Sequence, residues 1–312
     1  MNLKRVFLGP ILSIVFLIFF AYLISGMQGF FVKPLQNNNS SLYLANISDA
    51  VQQNVSENTA DEIVVLPANK PEVNAKSAIS IESNLQDQSK VIFEKDSNLQ
   101  LPIASLTKLM TAIVVLENYN LSDLVIVSKI ADSQDVVKQD VKIGDKLSVE
   151  GFLDIMLIES SNKSAYALSE LIGEEKFVMM MNKKAKDLGL KNTFFADPTG
   201  LSAQNVSTAN DLAKLAETIL KNYPEIARIS KAKTFYIKGF GQVENTDQLL
   251  SEVPDIVCSK TGFTNEAKGC LLLVINSQRD NNYKINIILG ADDRFLEMKK
   301  IINWLDANYQ CQ

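Results

Sequence analysis

The sequence predicts an α+β domain in which one antiparallel sheet is assembled from the two ends of a folded region, with an all-helical lobe inserted between them. Three observations lead there. Strand-like runs occur at Ala78-Ile79-Ser80-Ile81 and Lys90-Val91-Ile92-Phe93, then return only at Asp255-Ile256-Val257, Cys270 to Ile275 and Ile285 to Leu289. Between about residues 120 and 230 the apolar spacing is mostly helical, and from about Arg294 the residues Phe295, Met298, Ile301, Ile302 and Leu305 keep a helical stripe. Strands drawn from distant segments, with helices between and after them, pack as a sheet covered by helices.

The first two runs, separated by a polar break, read as an opening hairpin. From Ser105, apolar residues recur at Leu106, Leu109, Met110, Ile113, Val114 and Leu116, the spacing of a helix with a wide buried face. Helices follow over Val149 to Ile158 with Ser148 as N-cap, Lys163 to Ile172, Lys176 to Leu188 ending at Gly189, and Thr208 to Leu220. Asp197-Pro198-Thr199-Gly200 has the residue placement of a type I turn. No internal repeat is present.

The chain has 312 residues, 46% hydrophobic and 21% charged, with a net charge of −5, enough for one sizeable core divided into two lobes. Basic residues are scattered rather than striped, so nucleic acid is not an expected partner. Lys4-Arg5 precedes an uncharged run from Val6 to Ser25, long enough as a helix to cross a bilayer, and orients the remainder outward. Residues 1–33 therefore read as a retained, single-pass signal-anchor in a cell membrane. A cleaved signal peptide is the competing reading, disfavoured by the length of the run and by Ile24-Ser25-Gly26-Met27 as a cleavage sequence. Residues 34–75, rich in Asn, Ser and Gln, read as a disordered tether, and 76–312 as the extracytoplasmic catalytic domain. Cys258, Cys270 and Cys311 lack metal-ligand spacing and no histidine accompanies them, so no metal and no cofactor is expected.

The absence of histidine constrains the chemistry. Serine needs a base poised near the working pH, and imidazole is missing. Three patterns supply an alternative: Ser105-Leu106-Thr107-Lys108, Ser160-Ser161-Asn162 and Lys260-Thr261-Gly262. The first pattern taken alone carries little, because S-x-x-K also begins at Ser160 and Ser230. Context separates them: Ser105 opens an apolar helix, which places Lys108 on the same face and within reach of the positive helix terminus. Burial, and Lys260 as a second cation, would favour a neutral Lys108 able to take the Ser105 proton. The Ser105 N–H would help hold the oxyanion. Ser160 could relay a proton to the leaving amine, and the Asn162 amide could bind a peptide group. Lys260 and Thr261, at the end of a predicted strand, would bind a carboxylate, with Gly262 permitting close approach. Each pattern alone is also an ordinary cap, turn or tripeptide; order, separation and context together carry the reading.

These residues resemble the penicillin-recognising serine enzymes, and specifically the low-molecular-mass D-alanyl-D-alanine carboxypeptidases, serine peptidase family S11. The resemblance rests on Pro102 to Ala112, on Asp197-Pro198-Thr199-Gly200-Leu201 with Ser207 to Ala213, and on Lys260 to Ala267, and covers about residues 76 to 308. It implies a β-lactamase/transpeptidase-like fold, an antiparallel five-stranded sheet flanked by helices. It also implies Ser105 as nucleophile, Lys108 as base, and Ser160 with Asn162 as the second element. Lys260 and Thr261 would bind the terminal carboxylate beside Gly262, and the N–H groups of Ser105 and Phe263 would form the oxyanion hole. The implied substrate is the D-Ala-D-Ala end of a peptidoglycan stem peptide, with β-lactams as acylating inhibitors.

Three departures stand out. Ser161 occupies a position usually held by Gly, adding a side chain beside the cleft; a histidine often found in the family is replaced near Asn205; and the chain stops at Gln312, without the additional β-rich domain and C-terminal anchor of many relatives. A class A β-lactamase would need a deacylating Glu in an E-x-x-L-N context, and none of the seven Glu residues between Asn162 and Lys260 has one. A membrane-tethered penicillin sensor without turnover is disfavoured by the five residues before Val6, and a silent scaffold by retention of every reactive side chain.

Overall fold

The computed structural model describes residues 70–86, 89–134, 141–277 and 282–309. The expected signal-anchor, the tether as far as residue 69, and Cys311 lie outside the described residues. Among the described residues no helix is long and apolar enough to cross a membrane, and no cluster of His, Cys, Asp and Glu could hold a metal ion.

One five-stranded antiparallel sheet is built from strands β1 (Ser77–Ser83), β2 (Ser89–Lys95), β3 (Ile256–Thr264), β4 (Lys268–Asn276) and β5 (Tyr283–Ala291), in the order β2-β1-β5-β4-β3. The first strand pairs with the last, Ile79 opposite Ile287 and Ile81 opposite Ile285, so the N-terminal hairpin completes a sheet whose other strands begin only at Ile256. Both faces are covered, which explains the apolar runs Cys270 to Ile275 in β4 and Ile287-Ile288-Leu289 in β5. Leu272, Val274, Ile285 and Ile287 pack with the helical lobe, whereas Leu271, Leu273 and Ile288 pack against Met298, Ile301 and Leu305 of the closing helix. Among the described residues Val73 is the first that is buried; Lys95 Nζ donates to its carbonyl, and the Asn74 N–H donates to buried Glu297.

The helices are α1 (Lys108–Asn118), α2 (Lys129–Asp132), α3 (Val149–Ile158), α4 (Asn162–Glu170), α5 (Glu174–Asp187), α6 (Ala209–Asn222), α7 (Pro224–Ser230) and α8 (Arg294–Asn308). Helix α1 buries Leu109, Met110, Ala112, Ile113, Val114 and Val115, and is thus a core helix apolar on nearly all sides. The expected cap Ser148 is present, its Oγ accepting from Gly151 N, and Thr208, expected as the first residue of a helix, is instead the N-cap of α6, its Oγ1 accepting from Asp211 N.

Four features differ from the sequence reading. Ser105 does not open an α-helix: Ala104–Thr107 forms a 3-10 turn, and α1 starts at Lys108. Lys260-Thr261-Gly262 lies inside β3 rather than at its end, because the strand continues through Phe263 to Thr264. Helices α2 and α7 were not expected, being too short to show a period, although α7 begins on Pro224. The ribbon Thr234–Ile237 with Gly241–Glu244 was also missed; Thr234, Phe235 and Tyr236 are all exposed, so no alternation marks it.

Candidate active site

The 3-10 turn carries Ser105, and Lys108 follows as its C-cap and the first residue of α1. With three residues per turn, 3-10 geometry eclipses positions i and i+3, so Ser105 and Lys108 project from the same side. Ala104, at φ +47°, takes a left-handed conformation that only close surroundings can impose on a residue with a Cβ. Ser105 is partly exposed, while Lys108 is 0% exposed. The Lys108 Nζ lies 3.0 Å from Ser105 Oγ, 2.6 Å from Asn162 Oδ1 and 2.6 Å from the carbonyl oxygen of Thr199.

The second element is the break between α3 and α4. Ser160 adopts φ +63°, the left-handed exit of a helix, which turns its hydroxyl toward Lys260; Lys260 Nζ donates to it at 2.8 Å. Asn162 opens α4 and faces Lys108. Ser161, expected to add a side chain beside the cleft, instead points its hydroxyl along α4, where Oγ accepts from Ser164 N at 2.9 Å as the N-cap.

The third element comes from β3, the edge strand. Lys260, 2% exposed, also donates to the Thr261 carbonyl at 3.1 Å, and Thr261 Oγ1 is 2.5 Å from Thr246 Oγ1. Gly262 makes a tight approach: a Cβ there would lie 3.0 Å from the Ile103 carbonyl oxygen and 3.1 Å from Ser105 N, so the neighbouring backbone would have to shift by a few tenths of an ångström. The backbone of β3 therefore runs directly against the backbone of Ser105. Phe263 follows with its side chain 56% exposed.

Burial, then the neighbouring Lys108 and Arg294, hold the Lys260 amine well below the usual lysine range, with Asp247 opposing them. Asp247 is buried, which pushes its carboxyl up against the hydrogen bonds from Ser259 Oγ and Leu249 N. Lys108, Lys260 and Arg294 thus set three basic side chains near one another, with the buried Asp247 carboxyl as their counterpart. The structure brings together Ser105, Lys108, Ser160, Asn162, Lys260, Thr261 and Gly262. Sequence reasoning missed Thr199, Thr246, Asp247 and Arg294. The turn at 197–200 was legible, but its contact with Lys108 spans 91 positions. Near the position expected to replace a histidine, buried Asn205 accepts from Ala196 N and Asp197 N, and its carbonyl accepts from Ile103 N.

A two-sided antiparallel sheet with an inserted helical lobe and a serine–lysine pair at their junction defines the class of penicillin-recognising serine peptidases. The D-alanyl-D-alanine carboxypeptidase family S11 matches residues 65–293, and the chain belongs to that family. Among similar proteins, the D-alanyl-D-alanine carboxypeptidase DacF of Bacillus subtilis is 35% identical over 252 residues, which cover 76% of this chain and 63% of that protein. The chain thus spans less than two thirds of that relative's length. The D-alanyl-D-alanine endopeptidase of Escherichia coli is 37% identical over 259 residues, covering 77% of this chain and 80% of the relative. Penicillin-binding protein D2 of Listeria monocytogenes, solved in a cefotaxime-bound form, superposes with a TM-score of 0.68 at 26% identity, covering 76% of this chain and 99% of that one.

Proposed function

We propose that the protein is a serine D-Ala-D-Ala carboxypeptidase that removes the terminal D-Ala from peptidoglycan stem peptides through a Ser105 acyl-enzyme. The observation that carries this reading is the triangle around Lys108: Ser105 Oγ at 3.0 Å, Asn162 Oδ1 at 2.6 Å, and no histidine anywhere in the chain to act instead. Ser105 Oγ attacks the carbonyl carbon of the penultimate D-Ala while its proton passes to neutral Lys108. The oxyanion is held by the N–H groups of Ser105 and Phe263, a pairing supported by the close approach of β3 at Gly262. Collapse breaks the C–N bond; the leaving D-Ala takes a proton through Ser160, which Lys260 Nζ contacts at 2.8 Å. Water then cleaves the ester, with Lys108 as base, and restores Ser105. Lys260 and Thr261 hold the terminal carboxylate, Arg294 adds to the positive potential, and the Asn162 amide binds a peptide group.

β-Lactams acylate Ser105 as analogues in this reading. A second substrate is the D-Ala-containing cross-link, favoured by the 37% identity to a protein named as an endopeptidase; the acyl-enzyme is the same. A non-hydrolysing sensor and a β-lactamase are the competing outcomes. Residues 1–33 anchor the protein in the bacterial cell membrane with residues 76–312 outside, a reading supported by the uncharged run Val6 to Ser25.

The test is one assay on purified protein and its Ser105→Ala variant. D-Ala release from a D-Ala-D-Ala peptide and a stable labelled-penicillin adduct, both lost in the variant, are expected. Rapid penicillin hydrolysis without D-Ala release would replace the reading with a lactamase, and acylation without turnover would replace it with a sensor. Alkali-resistant membrane association and an intact N-terminus check the anchor.

A further inference from the structure

We propose that Asp197 is a positioning residue for Lys108, holding the Thr199 carbonyl where it orients the amine's lone pair toward Ser105. This inference rests on the reading of Lys108 as the base. A neutral lysine amine has two N–H donors and one lone pair. Two acceptors, Thr199 O and Asn162 Oδ1, each stand 2.6 Å from Nζ, and Ser105 Oγ stands 3.0 Å away. With both N–H groups directed to the two acceptors, the lone pair is left for the Ser105 hydroxyl.

The Asn162 side of this arrangement is built into the first turn of α4. The Thr199 side has neither helix nor strand to hold it, and the turn closes instead on one carboxylate. Asp197 Oδ1 accepts from Thr199 N at 2.6 Å, Thr199 Oγ1 at 2.6 Å and Gly200 N at 2.7 Å. Its Oδ2 accepts from Ser202 N at 2.8 Å and Asn205 Nδ2 at 3.0 Å. Five donors from four residues thus converge on Asp197. The peptide carbonyls this fixes are aimed at α1: Pro198 O accepts from Thr111 Oγ1 at 2.6 Å and Thr199 O from Lys108, one helical turn apart. Asn205 ties the same turn to the chain entering the nucleophile, since its carbonyl accepts from Ile103 N at 3.0 Å. Asp197 itself touches neither Lys108 nor Ser105 in this network, so its effect on the reaction is exerted through the Thr199 peptide.

The experiment compares Asp197→Ala, Asp197→Asn, Lys108→Ala and a control, Asp145→Ala, in the full chain. Asp145 caps an exposed turn through Lys142 N and has no contact with the site. Labelled-penicillin acylation and D-Ala release are followed kinetically, with the folded fraction measured by thermal melting. Displacing a catalytic group by about 1 Å can cost about 100-fold in rate. Asp197→Ala is therefore expected to lower kcat about 10- to 100-fold with KM within about twofold. Asp197→Asn keeps an acceptor for Thr199 N and Gly200 N and should recover most of that loss, and Asp145→Ala should change neither constant. If Lys108→Ala acylates like the wild type, the base reading itself falls. If Lys108→Ala is inactive but Asp197→Ala keeps its kcat, or loses activity only in proportion to its folded fraction with no rescue by Asn, the positioning role is overturned.

Discussion

Gly200 and Ala104 share a space too small for one more carbon: a Cβ on Gly200 would fall 2.1 Å from the Ala104 carbonyl oxygen. Both residues are left-handed, at φ +89° and φ +47°, so the turn that holds Lys108 is pressed against the peptide that presents Ser105. Gly200→Ala must move one of these backbones. A loss of stability of about 2–4 kcal/mol, read from urea unfolding, is expected from the added strain and overlap, together with slower acylation in the protein that remains folded.

Asp154 gives a pH dependence that is independent of catalysis. It is buried on α3, and burial first, then Glu150 one turn away, push its carboxyl up to about 6, against Arg228. The folded state therefore binds this proton more tightly than the unfolded chain. The stabilisation is fully present below about pH 3.8 and is lost as pH rises through about 6. Asp154→Asn should remove that slope and raise stability at pH 7.5 by about 1–3 kcal/mol. Urea midpoints for both proteins from pH 4 to pH 8 measure it.

The lowered Lys260 amine predicts an alkaline limb in kcat/KM for a substrate with a free carboxylate. The ammonium that attracts the carboxylate is lost as pH rises, and it is lost earlier than in an ordinary lysine because burial, Lys108 and Arg294 all disfavour it. Lys260→Arg keeps its charge at any working pH, so its limb should move to higher pH even though its rate is lower. A pH–rate profile with an unmoved limb would assign the titration elsewhere.

Ser161 offers a test of the family departure. Its hydroxyl caps α4, so Ser161→Ala should cost about 1 kcal/mol in unfolding free energy, and Ser161→Gly only a few tenths. Acylation by labelled penicillin should change less than threefold in both. A large change confined to acylation would return the side chain to the cleft.

The sheet was legible because β4 is apolar on both faces, β5 is apolar apart from Asn286, and both are bounded by polar residues, a pattern that needs no distant information. Helices α3, α5 and α6 were legible for the same reason, their caps lying next to their periodic residues. Helices α2 and α7 and the Thr234–Glu244 ribbon are too short or too exposed for a period to show. Within the site, Ser105 and Lys108 were readable from a spacing of three only together with their place at the head of a long apolar run, since the same spacing recurs at Ser160 and Ser230. Thr246, Asp247 and Arg294 carry no such local signature; each acquires meaning only from what β3 sets beside it.

By itself the sequence determined the family and the main run of strands and helices and singled out the candidate site residues, since composition, periodicity and short motifs are local properties of the chain. Tertiary structure decided how those groups work together. Lys108 meets Asn162 and Thr199 across 54 and 91 positions, and Lys260 meets Ser160 across 100. The physical reason is that a buried amine takes its chemical character from whichever acceptors and charges packing places around it, and packing brings together residues that no local pattern links.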